Sequence, residues 1–322
     1  MTSIPLAPLR RTRIVVLPDL YVDALAFLPS WAQSGRRLGV IARRGGGNLP
    51  VKSIEFKLGG NAANLAVALA RLGAQVDLIA HTDEFGQRLL ERAAAGTRLR
   101  TDRVRVGPNT SASLILECGS SNVMLSHAGP LQNFGPESLT AEDWRRIESA
   151  DVVALVNWAQ NKRGTTLLRK LSGRLHQRGI FLYLDTGDVR HRGADVSTLR
   201  RDRAAWKGVS AFGMNQNELA AFTRGTSVEH AQGLAEELGT RIDLHTREWA
   251  ASVTGTSAVR VAAGRTPARR LTGAGDAWNA GNLAGYALQL GDRERLGLAH
   301  RVANRYVTGS SGLPPTAMEV TA

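Results

Sequence analysis

Leu271-Thr272-Gly273-Ala274-Gly275-Asp276-Ala277-Trp278-Asn279-Ala280-Gly281 is the stretch on which the reading of this chain turns. The small residues Gly273, Ala274 and Gly275 stand directly before a long helix-period pattern near 274–290, so their N–H groups are expected at a helix N-terminus. There, unpaired donors and partial positive charge favour an anion. Glycine also lets the backbone approach that anion closely and adopt positive φ. Asp276 falls in the first turn beside the same spot. A carboxylate so placed can take the proton of a hydroxyl attacking phosphorus while the amides stabilise charge on the transferred group. An acidic residue at a helix start is also favoured by the dipole alone, by ~0.3–1 kcal/mol. Residue type by itself does not separate these two readings.

A second glycine motif, Gly59-Gly60-Asn61-Ala62-Ala63-Asn64, precedes an apolar helix pattern through Leu65, Leu69 and Leu72. Asn61 and Asn64 stand at helical spacing and could present amides to a polyol; a tight turn with an asparagine cap accounts for the same residues. Between and beyond the motifs, strand-like runs near 76–80, 151–156, 180–185, 209–213 and 241–245 alternate with helix-period stretches. The latter lie near 61–73, 86–96, 141–149, 164–178, 227–238, 274–290 and 292–307. Such alternation predicts an α/β fold with a central, mostly parallel sheet flanked by helices. Thr140 followed by Asp143 predicts an N-cap with an acidic first turn. Residues 24–58, with Pro29, Gly45-Gly46-Gly47 and Pro50, and residues 110–127, which read as strands Ser113–Glu117 and Asn122–Ser126 around a Gly-Ser-Ser turn, are β-like inserts. Neither could bury a core alone. Together they are expected to form one small sheet over a main domain made of 1–23, 59–109 and 128–322.

Composition bounds the partners. The 322 residues carry 43% hydrophobic and 21% charged residues, ordinary for a globular protein. The one cysteine, Cys118, excludes an internal disulfide and a multi-thiolate metal site and suits a cytoplasmic setting. The basic cluster Arg10, Arg11, Arg13 precedes the apolar run Ile14–Leu17, but Asp19 and Asp23 break the hydrophobic character soon after it, so a first β-strand is expected rather than a signal peptide or membrane span. The net charge of +13 is nearly all arginine, since lysines number only five, and it is scattered singly and in pairs. That reads as a solvated surface or a funnel for an anionic substrate. Without a basic block or aromatic platform, no nucleic-acid partner is expected.

GGNAANLAVALARLGA and LTGAGDAWNAG, about 210 residues apart, resemble in order and spacing the two signatures of the ribokinase-like (PfkB) carbohydrate kinase family. The first strand leading to Asp23, the second β insert and Asn215-Gln216-Asn217-Glu218 agree with it, so the resemblance spans nearly the whole chain. It implies phosphoryl transfer from a nucleotide, ATP first with ADP or another donor open, to a hydroxyl of a sugar-like molecule. Asp276 would be the base, and Gly273, Ala274 and Gly275 the anion hole. Asn215 and Glu218 match the N-x-x-E element that organises Mg²⁺ and the phosphates, with Glu218 on the metal side. Thr246 and Asn304 are expected at the nucleotide, and Asp23, Gly59, Gly60, Asn61 and Asn64 at the acceptor. The two β inserts become a lid, which in many relatives also joins a homodimer; excluding water from the transferred group is its physical purpose.

Departures from the pattern narrow these expectations. Arg270-Leu271-Thr272 replaces an Asp-Thr-Thr linked to monovalent-cation activation, so potassium dependence is not expected, and Arg270 offers positive charge near the phosphates instead. Thr246-Arg247-Glu248-Trp249-Ala250-Ala251 lacks both glycines of the T-x-G-x-x-G loop, and Glu248 would repel a polyphosphate unless turned away. Trp278 and Ala280 replace the usual Phe and Gly. A dinucleotide fold is disfavoured because Trp278 holds the third glycine position of G-x-G-x-x-G. A Walker loop fails at Val51, and no H-E-x-x-H occurs among the seven histidines. A ribokinase-fold binding regulator without turnover, and a nucleoside kinase of the same family, remain alternatives.

Overall fold

The computed structural model describes residues 4–119, 121–264, 270 and 272–321. The apolar run after Arg13 becomes the strand Arg13–Leu17, buried from Ile14 onward, inside a nine-stranded sheet. Across that sheet the strands lie in the order Ala258–Ala262, Trp249–Val253, Arg241–His245, Ala211–Asn215, Phe181–Asp185, Val152–Leu155, Arg13–Leu17, Gln75–Leu78 and Leu99–Arg100. All neighbours from Arg241–His245 onward pair parallel, and the two strands at the other edge pair antiparallel.

Side chains alternate faces along a strand, and here each face meets its own helical layer, so the strands read as continuous apolar runs. Val15, Leu17, Val153 and Leu155 pack with Leu167, Leu168 and Leu171 of the helix Gly164–His176. Ile14, Val16, Val152 and Ala154 pack with Leu65 and Leu69 of the helix Asn61–Arg71 and Leu283 of the helix Ala274–Ala287. The two glycine-led helices therefore share one layer. From Arg13–Leu17 the chain moves outward to Gln75–Leu78 on one side and returns as Val152–Leu155 on the other. A crevice at the carboxyl ends of such strands is where open α/β sheets bind ligands.

A separate four-stranded sheet has the order Ile54–Gly59, Tyr21–Phe27, Ser111–Cys118, Ser121–His127. Asp23 sits in register with Lys57 and Ser113, and Ala24 with Phe56 and Leu114. One face thus carries Asp23, Ser113 and Ser126, and the opposite face carries Phe56, Leu114 and Leu125. The turn residue Ser120 lies outside the described residues.

Three expectations need correction. Residues 24–58 are not β-like throughout, because Trp31–Arg43 is a helix whose N-cap, Ser30, accepts from Gln33 N–H at 3.1 Å. The first strand ends at Leu17, and Asp23 belongs to a second strand, Tyr21–Phe27, in the other sheet; a boundary at 23/24 cuts that strand. The segment Thr246–Ala251, read as a loop, is a tight turn that runs into the strand Trp249–Val253. The anticipated cap at Thr140 is present as a reciprocal pair with Asp143. Among the described residues no helix is long and apolar enough to cross a membrane.

Candidate active site

The helix Ala274–Ala287 begins at Gly273, whose φ of +83° suits glycine, and no side chain caps it. Among the described residues, a Cβ on Gly275 would find the His245 ring at 3.7 Å and nothing nearer, which leaves space beside the first-turn amides for an anion. Asp276 lies in that turn, half-buried, and its Oδ2 accepts from Asn64 Nδ2 at 3.0 Å. Loss of hydration pushes this carboxyl well above the usual range. The Asn64 bond works against the shift, and the negative charges of Asp185, Asp19 and Asp23 add to it.

Asn64 is carried by the helix Asn61–Arg71, which starts at Gly60 with φ +90° and has no cap of its own. The cap comes from far away. Asp19, just past the first strand, accepts from Asn61 N–H at 2.8 Å and Ala62 N–H at 2.9 Å, and from Asn157 Nδ2 at 3.0 Å. Burial raises the Asp19 carboxyl to about 6 in spite of these bonds. Gly59 and Gly60 are required by space: a Cβ on Gly59 would lie 2.1 Å from Asp23 Oδ2, and one on Gly60 2.8 Å from Asp19 Oδ2. Asp23 is raised to about 7, by burial first and by Asp19, with a hydrogen bond from Ser113 opposing.

The other wall comes from the next strand ends. Asp185 accepts from Gly187 N–H at 2.7 Å and from Asn279 Nδ2 at 2.7 Å, and Tyr183 Oη donates to Asn279 Oδ1 at 2.6 Å. Asn215 caps the helix Gln216–Thr223 by accepting from Asn217 and Glu218 N–H, while Glu218 accepts from Asn215 N–H and Nδ2, both at 2.8 Å. Glu218 is raised well above its usual range by burial and then by Asp185; Asp185 is raised by burial. These bonds alone give Asn215 and Glu218 a structural task. Among the described residues no group of three or more His, Cys, Asp or Glu is arranged to hold a metal directly.

With carboxylates, uncapped amides and the sheet's carboxyl edge converging, comparison with known proteins becomes informative. Residues 38–316 match the model of the pfkB family carbohydrate kinases. The chain belongs to that family. A pfkB kinase is a phosphotransferase acting on a hydroxyl group. The fold is shared with ribokinase from Arabidopsis thaliana, solved with ribose and ATP, at 17% identity, TM-score 0.75, covering 96% of this chain and 97% of that one. Adenosine kinase from Sinorhizobium meliloti aligns at 20% identity, TM-score 0.75 and coverages of 96% and 97%. A Burkholderia thailandensis nucleoside kinase in complex with inosine aligns at 16% identity, TM-score 0.70 and 96% of each chain. No curated protein matches the sequence significantly.

In this pfkB kinase, Asn64 meets Asp276 in the turn of Gly273, Ala274 and Gly275. Gly59, Gly60 and Asn61 lie against Asp23 and Asp19, whose charges reach Asp276, and Glu218, bonded to Asn215, feels the charge of Asp185. Thr246 is engaged elsewhere: its hydroxyl donates to Trp249 O at 2.9 Å and accepts from Glu248 N–H at 3.1 Å and Trp249 N–H at 3.0 Å. The ring that reaches the glycine loop from this strand is His245, stacked on Trp278 with centroids 4.8 Å apart and held neutral, near pKa 4, by burial, with His300 contributing. Asn304 is half-buried on the helix Asp292–Thr308, its amide nitrogen 3.7 Å from where a Gly264 Cβ would be. Leu271 lies outside the described residues. Asp19, Asp185 and His245 are the residues that sequence reasoning missed. Their only signal was position, one or two residues at the end of a predicted strand.

Proposed function

We propose that this kinase transfers the terminal phosphoryl of a nucleotide, ATP first, to a hydroxyl of a sugar or the sugar part of a nucleoside, with Asp276 as general base. The supporting observation is a carboxylate in the first turn of an uncapped glycine-led helix, held by Asn64 from the neighbouring helix. The acceptor hydroxyl gives its proton to Asp276 as its oxygen bonds to the terminal phosphorus, and the nucleoside diphosphate leaves. The N–H groups of Gly273, Ala274 and Gly275 bear the charge on the transferred group. Asp23, on the inner face of the smaller sheet, Asn61 and Asn64 suit the acceptor's hydroxyls, with Gly59 and Gly60 leaving space. That sheet serves as the lid that excludes water. His245 and Asn304 flank the donor side, and Thr246 acts there only through the turn it holds. Turnover measured on ribose, adenosine and inosine with ATP, ADP or GTP tests the reading; no transfer to any acceptor with any donor removes it. A nucleotide donor and a single free cysteine suit the cytoplasm.

The Asp185 and Glu218 carboxylates fit a divalent cation, because each is buried and Glu218 is raised further by its neighbour. With no three-ligand cage among the described residues, the group that fits is Mg²⁺ held largely by waters and nucleotide phosphates, with Glu218 and Asn215 orienting those waters. When bound, Mg²⁺ would neutralise charge on the phosphates. Glu218→Gln and Asn215→Ala are expected to shift the Mg²⁺ titration of activity to higher concentration. Unchanged titrations in both remove this role.

A homodimer through the outer face of the smaller sheet belongs to the same proposal. Phe56, Leu114 and Leu125 form a row there that is 57%, 44% and 55% exposed, an apolar stripe that a second copy would cover. Leu125→Glu should turn a dimer into a monomer in analytical ultracentrifugation. A monomeric wild type at micromolar concentration sinks the idea.

A further inference from the structure

Arg270 stands two residues before Thr272 and close to the N-cap glycine of the catalytic helix, yet no step of the phosphoryl transfer uses it. Its Nη2 donates to the carbonyl of Gly309 at 2.8 Å, and its guanidinium lies 5.5 Å from the centroid of the Tyr306 ring. Its Nη1 comes within 3.1 Å of where a Cβ on Gly312 would stand. Among the described residues, the contacts of the Arg270 guanidinium are with a backbone oxygen and a phenol face rather than a carboxylate. Tyr306 in turn donates its hydroxyl to the carbonyl of Thr272 at 3.0 Å. That hydroxyl lies 2.6 Å from where a Cβ on Gly273 would be, which any larger residue there would displace. The Thr272 hydroxyl is held from the other side, accepting from Asn122 Nδ2 at 2.9 Å and donating to Glu117 Oε1 at 3.3 Å, both on the smaller sheet.

Peptide geometry passes this grip on to the loop. In a planar trans peptide the N–H of Gly273 points opposite to the C=O of Thr272. Anchoring that carbonyl on Tyr306 therefore fixes the direction of the first amide of the glycine loop. Arg270 then ties the loop's entry to the segment after the Tyr306 helix, through a charge-assisted bond that needs no exchangeable ion. An anion hole works only if its donors are aimed before charge develops.

We propose that Arg270 and Tyr306 form a clamp on the back of the glycine loop and act as positioning residues for phosphoryl transfer, a built-in cation and phenol that hold the amides in their anion-binding orientation. This rests on the kinase reading. Neither residue touches the reacting atoms.

The test uses the full-length chain as wild type, Arg270→Ala, Arg270→Lys and Tyr306→Phe. ATP affinity is read by calorimetry, turnover with ribose, adenosine or inosine, and hydrogen exchange in peptides covering 270–276. Arg270→Ala and Tyr306→Phe should lower kcat by about 10- to 100-fold, the range for losing a charge-assisted or buried hydrogen bond. ATP affinity should change less than about threefold, since charge on the terminal phosphate grows only during transfer. Exchange across 270–276 should quicken in both. Arg270→Lys should recover part of the loss, and millimolar guanidinium should raise kcat of Arg270→Ala but not of the wild type. If both variants turn over within twofold of wild type, or if exchange in 270–276 is unaltered, the clamp is wrong while the kinase reading stands. A kcat loss matched by an equal loss of thermal stability and ATP affinity also rejects it, as plain structural damage. A wild type that binds no nucleotide takes both readings down together.

Discussion

Asp276→Asn is expected to cut turnover by about 10²–10⁴, or about 3–5 kcal/mol of barrier, while ATP affinity stays within a few-fold of wild type. The asparagine keeps the shape and can still meet Asn64, but it cannot accept the acceptor's proton. The same substitution should make the protein more stable at neutral pH. Asp276 is pushed above the ordinary carboxylate range by burial and by Asp185, Asp19 and Asp23. An acid whose pKa is higher folded than unfolded binds more protons in the folded state, so it favours folding below its unfolded pKa. That contribution is lost as pH rises through the folded value. Asp19, near 6, and Asp23, near 7, act in the same direction, so unliganded protein should lose stability between about pH 5 and pH 8. Asp143, lowered in spite of burial by Arg103, Thr140 and Arg105, opposes this only at more acid pH. kcat/KM should rise with pH along a limb set above the usual carboxylate value, as the base must be unprotonated in the free enzyme. Thermal melts of wild type and Asp276→Asn from pH 5 to pH 8 decide the stability claim. An Asn variant no more stable than wild type at pH 8 removes the stability claim, and one retaining turnover within tenfold removes the base assignment.

Arg295→Ala should destabilise the fold by about 3–5 kcal/mol, the range for leaving a buried charge without its partner. Arg295 is fully buried against the helix Ala274–Ala287. It donates to Asp243 Oδ2 at 3.1 Å, Ser252 Oγ at 2.8 Å and Asp292 Oδ1 at 2.9 Å, and also to Asn282 Oδ1. Its guanidinium stacks 3.9 Å from the Tyr286 ring centroid, and Tyr286 Oη and Asn282 Nδ2 each donate to Asp243 at 2.8 Å. Gly285 leaves room for it, since a Cβ there would lie 2.6 Å from Arg295 Cγ. The network joins the Arg241–His245 strand to the helices Ala274–Ala287 and Asp292–Thr308, and so seats the helix that carries Asp276. Because the penalty comes from the orphaned Asp243, adding Asp243→Asn to Arg295→Met should recover most of the loss. Urea melts measure both variants. A loss under 1 kcal/mol for Arg295→Ala, or a double variant as unstable as the two singles summed, contradicts this account.

The α/β architecture was legible because its signals are local. Val152–Leu155, Phe181–Asp185 and Arg241–His245 are short apolar runs, and the helices from Asn61, Gly164 and Ala274 repeat apolar residues at 3.6 spacing. The Trp31–Arg43 helix escaped because Gly35 and Gly39 dilute its pattern and Pro29 and Gly45 bracket it; Ser30 at the N-cap was the signal available. Thr246 and His245 show the limit at a strand end. Successive residues there face opposite ways, so one position separates a turn hydroxyl from a ring at the glycine loop.

The amino-acid order alone determined that this protein builds a mostly parallel sheet with two glycine-led helices, one opening on an aspartate. Periodicity, caps and glycine's freedom act over a few residues and can be read there. Only the tertiary structure decided that Asn64 meets Asp276 from 212 positions away, that Asp19 caps a helix it does not belong to, and that Tyr306 grips the loop before Gly273. Those contacts depend on the two helices sharing one face of the sheet. Shared burial drives that packing, and it leaves no mark on the residues adjacent in sequence.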